Sequence, residues 1–206
     1  MRKYISTFII ILLATSANIL SAQDIATVIN NAQKNPLFES ISPILSQLVF
    51  SIDSTIKITK ENPIDTSAIA LRGAFGVVKR TAKTKDYIEI ETSKVGKLEA
   101  KLLPLINDSK IVCVVKTVCG KICDSQTLFY TTQWEPLEAE SLIPNKSIDW
   151  FIDKSAIPQE KLEEVNTLLG GANPVKFLLN PSNNTITAES SLDSYLGDSF
   201  KIVEPY

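Results

Sequence analysis

Apolar positions follow two different periods along the chain, and the change of period separates predicted helices from predicted strands. After Ser42 and Pro43, apolar residues recur every three or four positions through Ile52, which predicts an amphipathic helix with Ser42 as its N-cap. A shorter helix is predicted over residues 24–33, and Pro36 is expected to end it.

A second clear helix is predicted in PQEKLEEVNTLLGG, residues 158–171. Pro158 suits a first helical turn, the leucines and valine that follow form one apolar stripe, and Gly170 is a typical C-terminal stop. STIKITK, residues 54–60, alternates like a strand, whereas AIALRGAFGVVKR, residues 68–80, has no single period and stays ambiguous.

Three β-hairpins are predicted where the apolar period shortens to two. They cover DYIEIETSKVGKLEAKLLPL (residues 86–105), SKIVCVVKTVC with SQTLFYTTQW (residues 109–134), and PVKFLLNPSNNTITAES (residues 174–190). In the first hairpin, Ile88 and Ile90 share the expected core face, and the charged residues share a face that we expect to meet water.

This order of elements predicts an α+β fold, in which antiparallel β-hairpins pack with a few amphipathic helices. We expect residues 23–206 to form a single α+β domain. The alternative is two subdomains that meet near residues 136–144, between Pro136 and Pro144.

The first 22 residues have the pattern of a secretory signal peptide. Arg2 and Lys3 precede an unbroken apolar run, and small residues follow it. The run is much shorter than the ~20 residues of a membrane span, so residues 1–22 are expected to be removed. The mature chain is expected to be exported to the periplasm, the cell surface or the extracellular space of a Gram-negative bacterium, without a transmembrane segment.

Composition excludes several chemistries. The 206 residues contain no histidine, so catalysis by Ser-His-Asp or Cys-His groups and histidine-ligated metals are excluded. We expect no cofactor and no metal. The net charge of −2 does not indicate nucleic-acid binding, and the basic stretch VKRTAKTK, residues 78–85, predicts a solvated loop.

The three cysteines allow one intramolecular pairing. Cys113 and Cys119 lie about 20 Å apart along one predicted strand, so Cys119 and Cys123 form the candidate disulfide. A two-residue turn at Gly120 would make these two cysteines diagonal neighbours, whereas a three-residue loop through Ile122 would place them opposite each other. An exported protein permits the disulfide, and both registers stay open.

Glutamates on the first hairpin suggest one enzymatic alternative. Glu89, Glu91 and Glu99 share a face, and paired carboxylates would suit glycan hydrolysis. Lys97 and Lys101 alternate with them, a pattern more typical of a solvated strand face. We therefore assign no catalytic residue.

The central run IVCVVKTVCGKICDSQTLFYTTQWEPL, from Ile111 to Leu137, resembles the most recognisable segment of an exported family of unknown function found in Bacteroidales bacteria. SPILSQL with SIDS resembles that family's N-terminal helix region, and the first hairpin resembles its preceding hairpin. The resemblance implies an exported bacterial protein and adds no catalytic residue.

These observations favour a non-catalytic binding or interaction module of the cell envelope. Its partner is expected to be a protein, a peptide or a glycan, because sheet edges and grooves accept such ligands. The alternatives are a carboxylate-based glycan hydrolase and a structural envelope component.

Overall fold

The computed structural model describes residues 24–51, 69–73, 76–138, 142–143, 146–171 and 173–206. Seven strands form one antiparallel sheet in which every strand pairs with its neighbour in sequence, and two further strands form a separate hairpin. The strands are β1 Ile69–Gly73, β2 Gly76–Lys83, β3 Tyr87–Glu91, β4 Gly96–Pro104, β5 Lys110–Cys119, β6 Cys123–Thr131, β7 Pro136–Leu137, β8 Val175–Leu179 and β9 Ile186–Ser190. The predicted α+β class is confirmed.

Short helices precede and follow the strands. The α-helices are α1 Ile25–Asn30, α2 Ser42–Phe50, α3 Leu162–Leu169, α4 Leu192–Leu196 and α5 Phe200–Val203. The 3-10 turns are Asn31–Lys34, Pro36–Ile41, Ile148–Trp150, Lys154–Ala156, Gln159–Lys161 and Gly197–Ser199. The predicted signal peptide and the strand-like residues 54–60 lie outside the described residues.

The N-terminal helices differ in detail from the prediction. Asp24 caps α1 by accepting a hydrogen bond from the Thr27 amide. Pro36 does not simply end that helix, because it opens a 3-10 turn that leads directly into α2. Ser42 is the first residue of α2 and not its N-cap, a position held by Ile41.

Helices α1 and α2 cover one face of the seven-stranded sheet. Apolar side chains at alternate positions of the central strands point to these helices, as a half-buried strand requires. Trp134 fixes the contact, since its Nε1 donates to the Val28 carbonyl at 2.8 Å and its ring meets that of Phe38 edge to face. This core includes Ile29, Phe38, Leu45, Leu48, Ile88, Ile90, Leu98, Ala100, Val112 and Val114.

The predicted solvated basic loop is wrong, because its residues belong largely to strand β2. Arg80 is fully buried and donates from Nη1 to the carbonyls of Leu48 and Ser51 at the end of α2. Lys83 donates to the Val49 carbonyl at 2.9 Å. Two cations thus satisfy carbonyls that a helix C-terminus leaves without partners, and their charge suits the negative end of the helix dipole.

The hairpin β8–β9 covers the opposite face of the sheet. Val175, Phe177 and Leu179 of β8 pack on buried side chains that include Cys113 and Phe129. Helices α3, α4 and α5 gather beyond the hairpin around a third apolar cluster. The sheet is therefore a middle layer, with helices on one side and a hairpin on the other.

Candidate binding site

The cysteine pair lies at the tip of the β5–β6 hairpin. Cys119 and Cys123 face each other in register, and their sulfurs are 2.03 Å apart, the distance of a disulfide. The three-residue loop is therefore the register found, and Ile122 is not among the described residues with positive φ. Cys113 lies opposite Phe129 as a buried free thiol.

A polar cluster lies on the face of the sheet that the hairpin covers, and Tyr87 is at its centre. The Tyr87 hydroxyl lies 2.9 Å from Oε1 of Glu99 and 3.0 Å from Oε2 of Glu89, which pair across β3 and β4. Burial, reinforced by the charges of Glu99 and Glu89, raises the pKa of Tyr87 above its ordinary value. The phenol therefore stays protonated and acts as a donor.

Lys97 contacts both carboxylates and offsets part of their negative charge. Its Nζ lies 2.9 Å from Oε2 of Glu99 and 3.4 Å from Oε2 of Glu89, and the Thr81 hydroxyl donates to Oε1 of Glu89 at 2.6 Å. Burial alone would raise the pKa of Glu89, but the hydrogen bond from Thr81 and the charge of Lys97 hold it below the ordinary value of 4.5.

The expectation that this charged face meets water is wrong for its central residues. Glu99 and Lys101 are each only 1 % exposed, whereas the Glu91 side chain stays partly exposed beside Lys79. Nζ of Lys101 contacts Asp86 and the Pro181 carbonyl, both at 3.2 Å. The alternation of charge and apolar residues was identified correctly, but the hairpin β8–β9 covers the charged side.

Polar side chains of the sheet also satisfy the outer edge of β8. The amides of Val175, Phe177 and Leu179 point away from β9, and they donate to Asp124 Oδ1 at 3.1 Å, Ser125 Oγ at 3.0 Å and Glu99 Oε1 at 3.3 Å, respectively. Ser125 Oγ is itself 2.8 Å from Thr117 Oγ1. The hairpin is therefore held by directional bonds as well as by apolar contact.

An apolar cavity of about 300 Å³ lies between the other end of the hairpin and the sheet. The sheet contributes Leu103, Ile111, Cys113 and Phe129, and the hairpin contributes Leu179 and Ile186. Its volume is at the lower end of the range for ligand pockets, roughly 300–1,000 Å³.

The mouth of the cavity combines apolar and polar groups. Among the lining residues, Leu142, Asn184 and Thr185 are exposed and Ile143 is half-buried, which places them at the rim. Burial, with the charge of Glu99, raises the pKa of the Cys113 thiol to about 12. The cavity wall is therefore neutral at physiological pH, and the thiol is not a nucleophile.

Sequence reasoning did not find this cavity. Its walls come from β4, β5 and β6 and from a hairpin some 50 residues further along the chain. The useful signal would have been the apolar residues on the supposedly wet face, notably Leu103, Cys113 and Phe129. Their presence on the same face as Glu99 indicates that this face is covered.

The part of the chain that the structure describes shows neither a metal-site cluster nor a membrane-spanning helix. Within those residues, no three aspartate, glutamate or cysteine side chains gather as a metal site. None of the helices described there combines the length and apolar character needed to cross a bilayer.

Comparisons with known proteins agree with the resemblance of the central run. The chain is similar to a solved domain of an uncharacterized protein from Porphyromonas gingivalis W83, with 25 % identity, a TM-score of 0.61, and coverage of 68 % of this chain and 71 % of that one. No curated protein matches the chain. A family model described as a protein of unknown function, DUF3256, matches residues 73–202, which include every strand from β2 to β9. The chain therefore belongs to the DUF3256 family.

Proposed function

We propose that this protein is a non-catalytic binding module of the Gram-negative cell envelope, and that its ligand places an apolar group in the cavity between the β8–β9 turn and the sheet. The signal-peptide pattern of residues 1–22 supports export. The observation that carries the binding function is the cavity itself, which is apolar inside and carries Asn184 and Thr185 at its mouth.

The cavity suits binding better than reaction. Cys113 is the chemically reactive residue type in its wall, and its raised pKa keeps the thiol protonated. Apolar walls bind by removing hydrocarbon surface from water, and two polar groups at the mouth can orient what enters. An apolar group the size of a leucine or phenylalanine side chain fits this description.

The carboxylates give weaker support to the hydrolase alternative. A glycosidase needs two carboxyl groups that flank an open space for the scissile bond. Here the Tyr87 hydroxyl occupies the space between Glu89 and Glu99, and Leu179 of the hairpin lies directly over Glu99. The three groups support the fold by binding one another.

The test is methyl NMR on protein labelled at its isoleucine and leucine methyl groups, titrated with n-hexanol and, in parallel, with glycerol. Hexanol is expected to shift the methyl signals of Ile143 and Ile186 saturably, and glycerol is expected to leave them unchanged. Cys113→Met fills the cavity and should weaken hexanol binding about tenfold or more.

Val118→Met is the matched control, because it places the same side chain on the same strand at an exposed position. It should bind hexanol like the unmodified protein. Absence of saturable shifts at the cavity methyl groups, or equal hexanol binding by both variants, would refute a binding site in this cavity.

A further inference from the structure

We propose that the ligand is an extended peptide segment that adds as a third strand to the open edge of β9 and inserts one apolar side chain into the cavity. This inference rests on the binding function proposed above, and it names the class of partner. It is carried by the hydrogen-bonding pattern of β9 and by the position of the cavity at the start of that strand.

The backbone of β9 has one paired edge and one open edge. Asn180 donates to the Thr185 carbonyl and Ser191 donates to the Pro174 carbonyl, which fixes the hydrogen-bonded positions of the hairpin. Because these positions alternate in an antiparallel pair, the amides and carbonyls of Ile186, Ala188 and Ser190 point away from β8. Within the described residues, β9 pairs with β8 alone.

The other edges near this site are protected. Asp124, Ser125 and Glu99 accept from the outward amides of β8. Beyond β6, the sheet ends in the two-residue strand Pro136–Leu137, whose proline lacks an amide hydrogen.

The open edge of β9 lacks the devices that usually prevent strand addition. It contains no proline and no lysine, and its register against β8 is regular. Its single charged residue, Glu189, is paired with Lys176 at 3.0 Å. A neutral, regular and uncapped edge of this kind offers alternating donors and acceptors at the spacing of another strand.

The cavity defines where the side chains of such a strand would go. Ile186 is both the first residue of β9 and part of the cavity wall. Residues directly opposite each other on paired strands point to the same face. The peptide residue opposite Ile186 therefore directs its side chain towards the cavity, while the neighbouring peptide residues point to solvent.

A short peptide fits this edge better than a second copy of the chain. The five residues of β9 span about 17 Å. Edge pairing over that length falls well short of the roughly 800 Å² per partner that a standard stable interface buries. A peptide gains the cavity contact in addition to the backbone bonds.

The experiment uses the peptide Lys-Thr-Val-Leu-Thr-Val-Lys, the same peptide with serine in place of leucine, and a version with N-methyl groups on alternate amides. The leucine peptide should shift the methyl signals of Ile143 and Ile186 and slow hydrogen exchange of the Ala188 amide about tenfold. The serine and N-methylated peptides should each bind about tenfold more weakly.

Ala188→Pro removes an outward amide without removing a bond to β8, because the Ala188 amide points away from that strand. It should weaken binding of the leucine peptide about tenfold while leaving hexanol binding intact, which also shows that the variant is folded. If that variant does not fold, the N-methylated peptide tests the same bond from the ligand side.

The outcomes separate the two proposals. If hexanol does not enter the cavity, the proposed function fails. If hexanol binds but the leucine peptide does not, or if the N-methylated peptide binds equally well, strand addition is wrong while the binding cavity stands. Protection of the Ala188 amide by dimer formation without peptide would assign the edge to a second copy and overturn the peptide proposal.

Discussion

Removing the Tyr87 hydroxyl tests whether the covered polar face stabilises the fold. Tyr87→Phe deletes one oxygen and leaves the ring in place, so the main change is the loss of a donor to the buried Glu99 and the half-buried Glu89. The hydroxyl lies within 3.0 Å of both Glu89 and Glu99, but it has a single proton to donate. The loss is therefore that of one charge-assisted bond.

The magnitude follows from which partners remain. A hydrogen bond to a charged group contributes ~1.5–3 kcal/mol. Glu89 keeps Thr81 and Lys97, whereas Glu99 keeps Lys97 and the Leu179 amide at the longer distance of 3.3 Å. We expect Tyr87→Phe to lower the free energy of unfolding by about 2–3 kcal/mol, or roughly 4–12 °C in Tm for a domain of this size.

Urea unfolding followed by circular dichroism measures this loss, and Tyr130→Phe is the matched control. Tyr130 lies on β6 facing the helices, and its hydroxyl has no hydrogen-bond partner among the described residues. The control should change stability by less than about 0.5 kcal/mol. Equal effects of the two substitutions would refute the stabilising role of the polar cluster.

Three further predictions concern the charges and the cysteine pair. The free energy of unfolding should fall as pH drops below about 4.5. The pKa of Glu89 is lower in the folded state than in the unfolded state, so the ionised carboxylate stabilises the fold, and protonation removes that contribution. Urea unfolding from pH 7 to pH 3 should therefore show a shallower fall for Glu89→Gln. Arg80→Met should lower the free energy of unfolding by about 2–3 kcal/mol, because it removes two bonds to carbonyls at the end of α2. Lys79→Met, which removes an exposed ion pair on the same strand, should lower it by less than about 0.5 kcal/mol. Equal losses in urea unfolding would contradict the capping role of Arg80. Alkylation of the denatured, unreduced protein should label one cysteine, as measured by intact mass, whereas labelling of three cysteines would show that no disulfide forms. Cys119→Ser should lower the free energy of unfolding by only about 2 kcal/mol, because the Cys119–Cys123 bond closes a very short loop.

Local patterns in the sequence were sufficient to predict the central strands. Alternation on either side of the turn predicts a hairpin with Ile88 and Ile90 on the core face, and the observed pairing of β3 with β4 keeps both residues there. The β1–β2 hairpin was missed, since Gly73 and Gly76 weakened both the helix and the strand pattern. Gly76 has a φ of +124°, a conformation that favours glycine, so the residue that obscured the pattern suits the backbone at the start of β2.

Long-range contacts explain what the local patterns missed. Glu99 and Lys101 look the same in sequence whether water or a hairpin covers them. The groups that contact them, Leu179 and Pro181, come about 80 residues later. The sequence around Arg80 predicts a solvated loop for a similar reason, because its partners are main-chain carbonyls, which have no signature in the side-chain sequence.

The chemistry of the covered face explains why it is polar at all. A helix laid on a sheet presents satisfied backbone groups, so the face beneath α1 and α2 is mainly apolar. A β-hairpin laid on a sheet brings an edge of unpaired amides with it, and each buried amide needs an acceptor. Glu99, Ser125 and Asp124 are those acceptors for β8. Their side chains are therefore explained by the edge that they satisfy. The same reasoning gives the opposite result for β9, whose outward amides and carbonyls have no hydrogen-bond partner among the described residues and lie beside an apolar cavity. One edge of the hairpin is thus used by the fold, and the other is the edge at which we propose that a peptide adds.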